Sequence, residues 1–166
     1  MSMTLQELAR EASTCTRCRL AKGRTQVVFG VGDPEADLMF IGEGPGYYED
    51  KQGEPFVGAA GQLLTRLLDE IGLRREDVYV TNVVRCRPPG NRDPMPDEIE
   101  ACRVFTMGTL EYIRPRVLVT LGNFATRVIL DRQVSISRVR GQRFPWNGGV
   151  VTSQLDRDLP GPGSPR

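Results

Sequence analysis

Two groups of residues carry most of the chemistry open to this chain. The first is a loop, Ile41 to Leu64, that reads I-G-E-G-P-G-Y-Y-E-D-K-Q-G-E-P-F-V-G-A-A-G-Q-L-L. It holds the carboxylates Glu43, Glu49 and Asp50, the adjacent Tyr47 and Tyr48, and Phe56 directly behind Pro55. Its glycines let the backbone approach a ligand closely. It is not a phosphate loop, because the Gly-Lys-Ser/Thr ending is missing and its carboxylates would repel a polyphosphate. The second group is the four cysteines, Cys15, Cys18, Cys86 and Cys102. No histidine occurs anywhere, which removes the commonest general base and metal ligand.

Cys15 and Cys18 form a C-x-x-C pair, Cys86 sits at a strand end, and Cys102 falls inside a helix. Such a set in a cytosolic chain points to metal binding rather than disulfides. Four thiolates suit either zinc or an iron–sulfur cluster. Zinc ribbons use two C-x-x-C knuckles and this chain has one, but spacing alone leaves both metals open.

The elements that must position these groups are legible as an alternation. Thr4 with Glu7 forms a capping box for a helix over Leu5–Ala12. Val27–Val31 reads as a short extended piece, and Leu38–Ile41 as the first main strand. The loop then leads into an amphipathic helix, Ala59–Ile71, closed by Gly72. Val78–Val84 is a second buried strand, rich in β-branched residues. Residues Arg85 to Pro96 carry four prolines and cannot be regular. A helix over Glu98–Ile113, capped by Asp97 with Glu100, precedes a third strand, Val117–Leu121. Gly122-Asn123 opens a further helix to Leu130, and Gly148–Thr152 starts a fourth strand. Strands alternating with helices predict an α/β fold with helices on both faces of a parallel sheet. A glycine-rich loop at a strand's carboxyl end is where such sheets bind ligands.

The bulk numbers set limits. A chain of 166 residues, 39% hydrophobic and 26% charged, suits one ordinary domain. We expect that domain to span residues 1–153, and residues 154–166, rich in Gly and Pro, to be a disordered or loosely held tail. Lys and Arg total 22 against 21 Asp and Glu, so net charge does not mark a nucleic-acid partner. No apolar run approaches a membrane span and no signal-peptide core is present, so the expectation is cytoplasmic.

Three motifs together resemble the family-four, iron–sulfur uracil-DNA glycosylases. They are G-E-G-P-G-x-x-E-D with G-x-P-F-V-G-x-A-G-x-L-L, then T-N-V-V-x-C-R-P-P-x-N-R-x-P, and the ordered cysteine set. The likeness covers residues 15–152. It implies a three-layer α/β/α sandwich with a four-stranded parallel sheet. It implies a [4Fe–4S] cluster on Cys15, Cys18, Cys86 and Cys102. It further implies a monomer that flips deoxyuridine out of uracil-containing DNA and hydrolyses its N-glycosidic bond in base-excision repair, without a catalytic metal.

On that likeness Gly42, Glu43 and Gly44 line the uracil pocket, with backbone N–H groups toward the leaving base. Glu43 orients water or offsets positive charge on the sugar. Phe56 supplies a face for the flipped base. Asn82 reads the base, because one amide offers a donor to uracil O4 and an acceptor to N3–H, a pattern cytosine reverses. Tyr47 or Tyr48 is expected to exclude the C5-methyl of thymine by volume. Arg85, Arg87, Arg92, Arg138, Arg140 and Arg143 suit phosphate contacts. One departure stands out. Relatives end the fourth strand with a His-Pro-Ala motif whose histidine bonds uracil, and here Thr152-Ser153-Gln154 follows instead. The alternative reading is therefore a uracil- or DNA-binding relative with weak or no turnover.

Overall fold

The computed structural model describes residues 3–130, 141–146 and 149–154. Helix α1 spans Leu5–Ser13, with the Thr4 side chain accepting from the Glu7 backbone N–H as its capping box requires. Strands β1 (Val31–Gly32) and β2 (Leu38–Gly42) follow, then helices α2 (Tyr47–Gln52) and α3 (Ala59–Glu70). Next come β3 (Tyr79–Asn82), α4 (Pro96–Ile113), β4 (Val117–Leu121), α5 (Asn123–Leu130), β5 (Arg143–Trp146) and β6 (Gly149–Gln154).

The strands form one sheet in the order β1-β3-β2-β4-β6-β5. The inner four, β3, β2, β4 and β6, are parallel. They correspond to the four strands expected. The sheet is nonetheless six-stranded and mixed, because β1 pairs antiparallel with β3 and β5 pairs antiparallel with β6. The extended piece expected over Val27–Val31 meets β1 only at Val31, and β5 is not among the expected elements. β1 is two residues long, and β5 contains Pro145, which an edge strand tolerates because its missing N–H breaks no interior ladder.

Burial explains the layering. Successive side chains of a strand point to opposite faces. Met39 and Ile41 of β2 pack with Leu110, Ile113, Ala125 and Ile129 of α4 and α5. Phe40, between them, packs on the other face with Leu64 and Leu68 of α3. The sheet is thus covered on both sides, a three-layer α/β/α arrangement. Helix α1 lies outside α4, joined to it through Leu8, Ala12 and Phe105. The fourth parallel strand runs to Gln154, one residue past the expected domain boundary at 153. The remainder of the expected tail lies outside the described residues. Among the described residues no helix is long and apolar enough to cross a membrane.

Two local expectations need correction. The loop between β2 and α3 is not continuous loop but contains α2. Its six residues are too few to show a helical period, and Gly46 and Gly53 bracket it, Gly53 with φ +79° as the C-cap. Helix α4 is capped not by Asp97 with Glu100 but by Glu98, whose carboxylate accepts from the Met95 N–H at 2.8 Å. Pro96 then occupies the first turn, where its missing N–H costs nothing.

Glu98 does more than cap. It is fully buried, and Arg92 donates to both its oxygens at 2.8 and 2.7 Å, which fastens the proline-rich segment to α4. Those hydrogen bonds hold the Glu98 carboxyl below the usual carboxylate range, against the opposing effect of burial. A carboxylate more acidic folded than unfolded stabilises the fold above its unfolded pKa, about 4.3, and loses that contribution as pH falls through the lower folded value. Glu98→Gln should therefore unfold at lower denaturant than the parent at pH 7. Chemical denaturation repeated down to about pH 3 should show the gap closing. A gap that stays constant over that range would mean that the ion pair is not its source.

Candidate active site

The parallel pairing of β2 with β3 sets Gly42 directly beside Asn82. The ladder continues past both strands, with Val83 N–H donating to Gly42 C=O at 2.9 Å and Val84 N–H to Glu43 C=O at 3.2 Å. Gly42, Glu43 and Gly44 are thereby fixed along the carboxyl edge of the sheet, next to a side chain that is only 3% exposed, Asn82. Gly42 and Gly44 are buried and Glu43 is half-buried. A Cβ built on Gly42 would lie 2.7 Å from Asn82 Oδ1 and 2.8 Å from Phe56 Cζ. Gly42, Asn82 and Phe56 therefore meet at one point, although they are far apart in the chain.

Phe56 reaches that point through an unusual backbone. Its φ is +55°, a left-handed conformation that costs a bulky residue on the order of 1–3 kcal/mol. The surroundings impose it. The Glu49 carboxylate accepts from Gly46 N–H at 3.0 Å, from Val57 N–H at 3.0 Å and from Gly58 N–H at 2.8 Å. One buried side chain thus ties the start of α2 to the start of α3, with Phe56 on the connection. Asp50, also buried, accepts from the Thr25 N–H at 2.8 Å. Of the three carboxylates singled out in the sequence, Glu49 and Asp50 serve the backbone, and Glu43 is the one at the glycine edge. Local sequence offers no means to separate them, because each is an acidic residue near glycine.

Tyr47 and Tyr48 begin α2 and are exposed, their rings edge-to-face with centroids 5.3 Å apart. The Tyr47 ring faces two cations, Lys51 Nζ at 4.7 Å and Arg87 Cζ at 5.3 Å. Arg87 also donates to Asn91 Oδ1 at 2.7 Å. The other arginines expected to meet phosphates divide. Arg92 is engaged with Glu98, and Arg85 is only 1% exposed. Neither presents a free charge at the surface. Arg143 is exposed on β5, and Arg138 and Arg140 lie outside the described residues.

All four cysteines line a single cavity beneath the N-terminal segment, together with Arg24, Arg85 and Glu98. None is in a disulfide. The sulfurs attract N–H donors: Arg24 Nη1 lies 3.4 Å from Cys86 Sγ, Arg85 Nη1 lies 3.8 Å from Cys102 Sγ, and the Arg17 N–H lies 3.5 Å from Cys15 Sγ. Among the described residues no three Cys, Asp, Glu or His side chains converge closely enough to hold one metal ion. The thiols ring the cavity wall instead. Burial pushes the Cys18 and Cys86 thiols up.

Arg85 is the anomaly of this region. Its guanidinium donates to the Thr106 and Thr109 hydroxyls at 2.8 and 3.5 Å and lies 5.0 Å from the Phe29 ring centre. Its Nε has no partner, and among the described residues it makes no ion pair with a carboxylate. A buried cation without a counter-charge is strongly unfavourable. The thiols of the cavity, Cys102 among them, are groups beside it that can carry negative charge.

An α/β sheet whose inner strands are parallel, with a buried asparagine, an aromatic ring and a glycine edge at their carboxyl end, has the form of a ligand-binding α/β protein. Residues 29–159 match the uracil DNA glycosylase superfamily, and the chain belongs to that superfamily. It is 52% identical over 145 residues to a Type-4 uracil-DNA glycosylase of Archaeoglobus fulgidus, covering 85% of this chain and 73% of the relative. It is 51% identical over 147 residues to a Type-4 enzyme of Thermotoga maritima, covering 87% and 77%. A Type-5 uracil-DNA glycosylase of Thermus thermophilus is 36% identical over 141 residues, covering 72% of this chain and 63% of that protein.

The meeting at Gly42 is testable without disturbing the sheet. The atoms that a methyl group at position 42 would strike are ends of side chains, whereas at Gly32 or Gly61 they are backbone, at 1.9 and 1.6 Å. Gly42→Ala should leave the circular dichroism spectrum and cooperative unfolding intact, while free uracil no longer protects the protein from heat. Protection equal to that of the parent would show that the Gly42–Asn82–Phe56 meeting point is not the pocket.

Proposed function

We propose that the chain is a uracil-DNA glycosylase that draws deoxyuridine from DNA into the notch at Gly42, Asn82 and Phe56. The observation that carries this reading is the convergence of those three residues on one point at the sheet's carboxyl edge. The Asn82 amide donates to uracil O4 and accepts from N3–H. The Phe56 ring offers a face on which the extruded base stacks. The C1′–N1 bond then breaks with its electron pair going to uracil, so negative charge grows on the base and positive charge on the sugar. Backbone N–H groups of the Gly42–Gly44 edge stabilise the first. Glu43 offsets the second and orients the water that adds to C1′ and loses its proton. The protein is taken to act as a monomer on uracil-containing DNA in the cytoplasm.

The chemistry needs no histidine to begin, but it loses a donor without one. Removing one donor to a developing oxyanion costs roughly 10²–10³ in rate. A uracil-containing single-stranded oligonucleotide, incubated and then cleaved with alkali, should break at the uracil. In single turnover it should do so more slowly, by about that factor, than with a histidine-bearing Type-4 relative. Asn82→Asp replaces the donor with an acceptor-only group and should lower uracil release further. No strand breakage by the parent chain would sink the enzyme reading, and an unchanged rate in the Asn82→Asp variant would remove Asn82 from the reader's role.

The cysteine cavity supports a [4Fe–4S] cluster held by Cys15, Cys18, Cys86 and Cys102. The donor set is four free cysteines lining one cavity. The buried Arg85 and the Arg24 donor at Cys86 suit an anionic occupant, since thiolate ligation supplies the counter-charge that Arg85 lacks. Bound there, the cluster would join the N-terminal segment to the start of the proline-rich segment and to α4. Protein purified without oxygen should be brown, with about four irons per chain. Cys86→Ala should lose the iron and much of the soluble yield. Stoichiometric zinc with no iron would overturn the assignment.

A further inference from the structure

We propose that Arg75 is a positioning residue that holds Phe56 in its left-handed conformation and so sets the stacking shelf for the extruded base; the proposal deepens the glycosylase reading and rests on it. Arg75 opens the short turn Arg75–Asp77 between α3 and β3. Its side chain reaches back to the connection between α2 and α3. Nη2 donates to Pro55 C=O at 2.9 Å, and Nη1 donates to Phe56 C=O at 2.8 Å, with Gly61 C=O at 3.5 Å. The two carbonyls on either side of the strained Phe56 backbone are thus held by one guanidinium.

The geometry makes this more than a loop staple. A planar fork fixes two acceptors relative to each other, as a point-charge ammonium cannot. The Phe56 carbonyl is also pressed from its other side, since a Cβ at Gly61 would fall 1.6 Å from its oxygen. Held between α3 and Arg75, the peptide cannot rotate to the extended conformation that Phe prefers. Rotation would swing the ring away from Gly42 and Asn82, where its Cζ now crowds the empty Cβ position. Arg75 itself lines an open groove that Phe56 also lines and that neither Gly42 nor Asn82 reaches. Its hydrogen bonds go to backbone carbonyls of the Phe56 connection and α3, so it acts through Phe56.

The test uses the full chain with 4-fluorophenylalanine at its six Phe positions, giving one fluorine resonance for each. Phe56→Leu assigns the Phe56 line. In Arg75→Gln the Phe56 line should shift or broaden while the other lines hold. Arg75→Lys, which keeps the charge but not the fork, should move the same line. Single-turnover uracil release should fall on the order of tenfold in Arg75→Gln, and the same change made in Phe56→Leu should cost nothing further. A Phe56 line that stays in place in both variants overturns the proposal. An equal loss of rate in the Phe56→Leu background overturns it as well. Should Arg75→Gln unfold, with every line collapsing, Arg75→Lys decides. The fluorine measurement needs no substrate, so a chain that releases no uracil would defeat the glycosylase reading while leaving the clamp to stand or fall separately.

Discussion

A side chain at position 42 would displace Asn82 and Phe56, and that close approach organises the rest of the site. Asn82 Oδ1 and Phe56 Cζ lie 2.7 and 2.8 Å from where a Cβ would stand. Bringing them there takes three separate arrangements. Parallel pairing of β2 with β3 delivers Asn82 in register with Gly42. The Glu49 carboxylate delivers Phe56 by closing α2 against α3 through three backbone N–H groups. The left-handed φ at Phe56 then turns the ring inward. Each arrangement is stabilised by burial or backbone hydrogen bonds elsewhere, so the strain at Phe56 is held by its surroundings rather than by the ligand.

The exit of β3 links this notch to the cysteine cavity. Val83 C=O accepts from the Thr106 hydroxyl on α4, and that same hydroxyl accepts from buried Arg85. One residue further along is Cys86, whose sulfur faces Arg24. The segment that carries Asn82 thus runs directly into the thiol-lined cavity. On the proposed reading, an anionic occupant that neutralises Arg85 there would steady the backbone that leads back to Asn82.

The scaffold is legible in the sequence because burial imposes periods. β4 runs over Val117–Leu121 as read, and α1, α3 and α5 begin where their caps or apolar stripes begin. What stays hidden lacks a period. Helix α2 is shorter than two turns, and β1 and β5 are edge pieces whose pairing is set by tertiary contact. Charge is the least readable property. Arg85, Arg92 and Arg75 look alike in sequence, yet one is a buried cation, one is locked to Glu98, and one grips two carbonyls. The carboxylate, hydroxyls and carbonyls that give them these roles lie 6 to 24 residues away, which no local pattern encodes. Gly42, Asn82 and Phe56 are legible by motif, but their meeting point is visible only in three dimensions.

The sheet order sets Asn82 and the glycine edge apart from the end of β6. Asn82 and the glycine edge lie on β3 and β2, and β6, at whose end the family resemblance leads one to expect a histidine, is divided from β2 by β4. With neighbouring strands about 4.8 Å apart, the end of β6 stands roughly 10 Å from the Gly42 edge. No hydrogen bond that fixes Gly42, Asn82 or Phe56 comes from β6 among the described residues. On the proposed reading, a change at the end of β6 would remove a donor to the departing base and leave in place the buried amide and ring that select it.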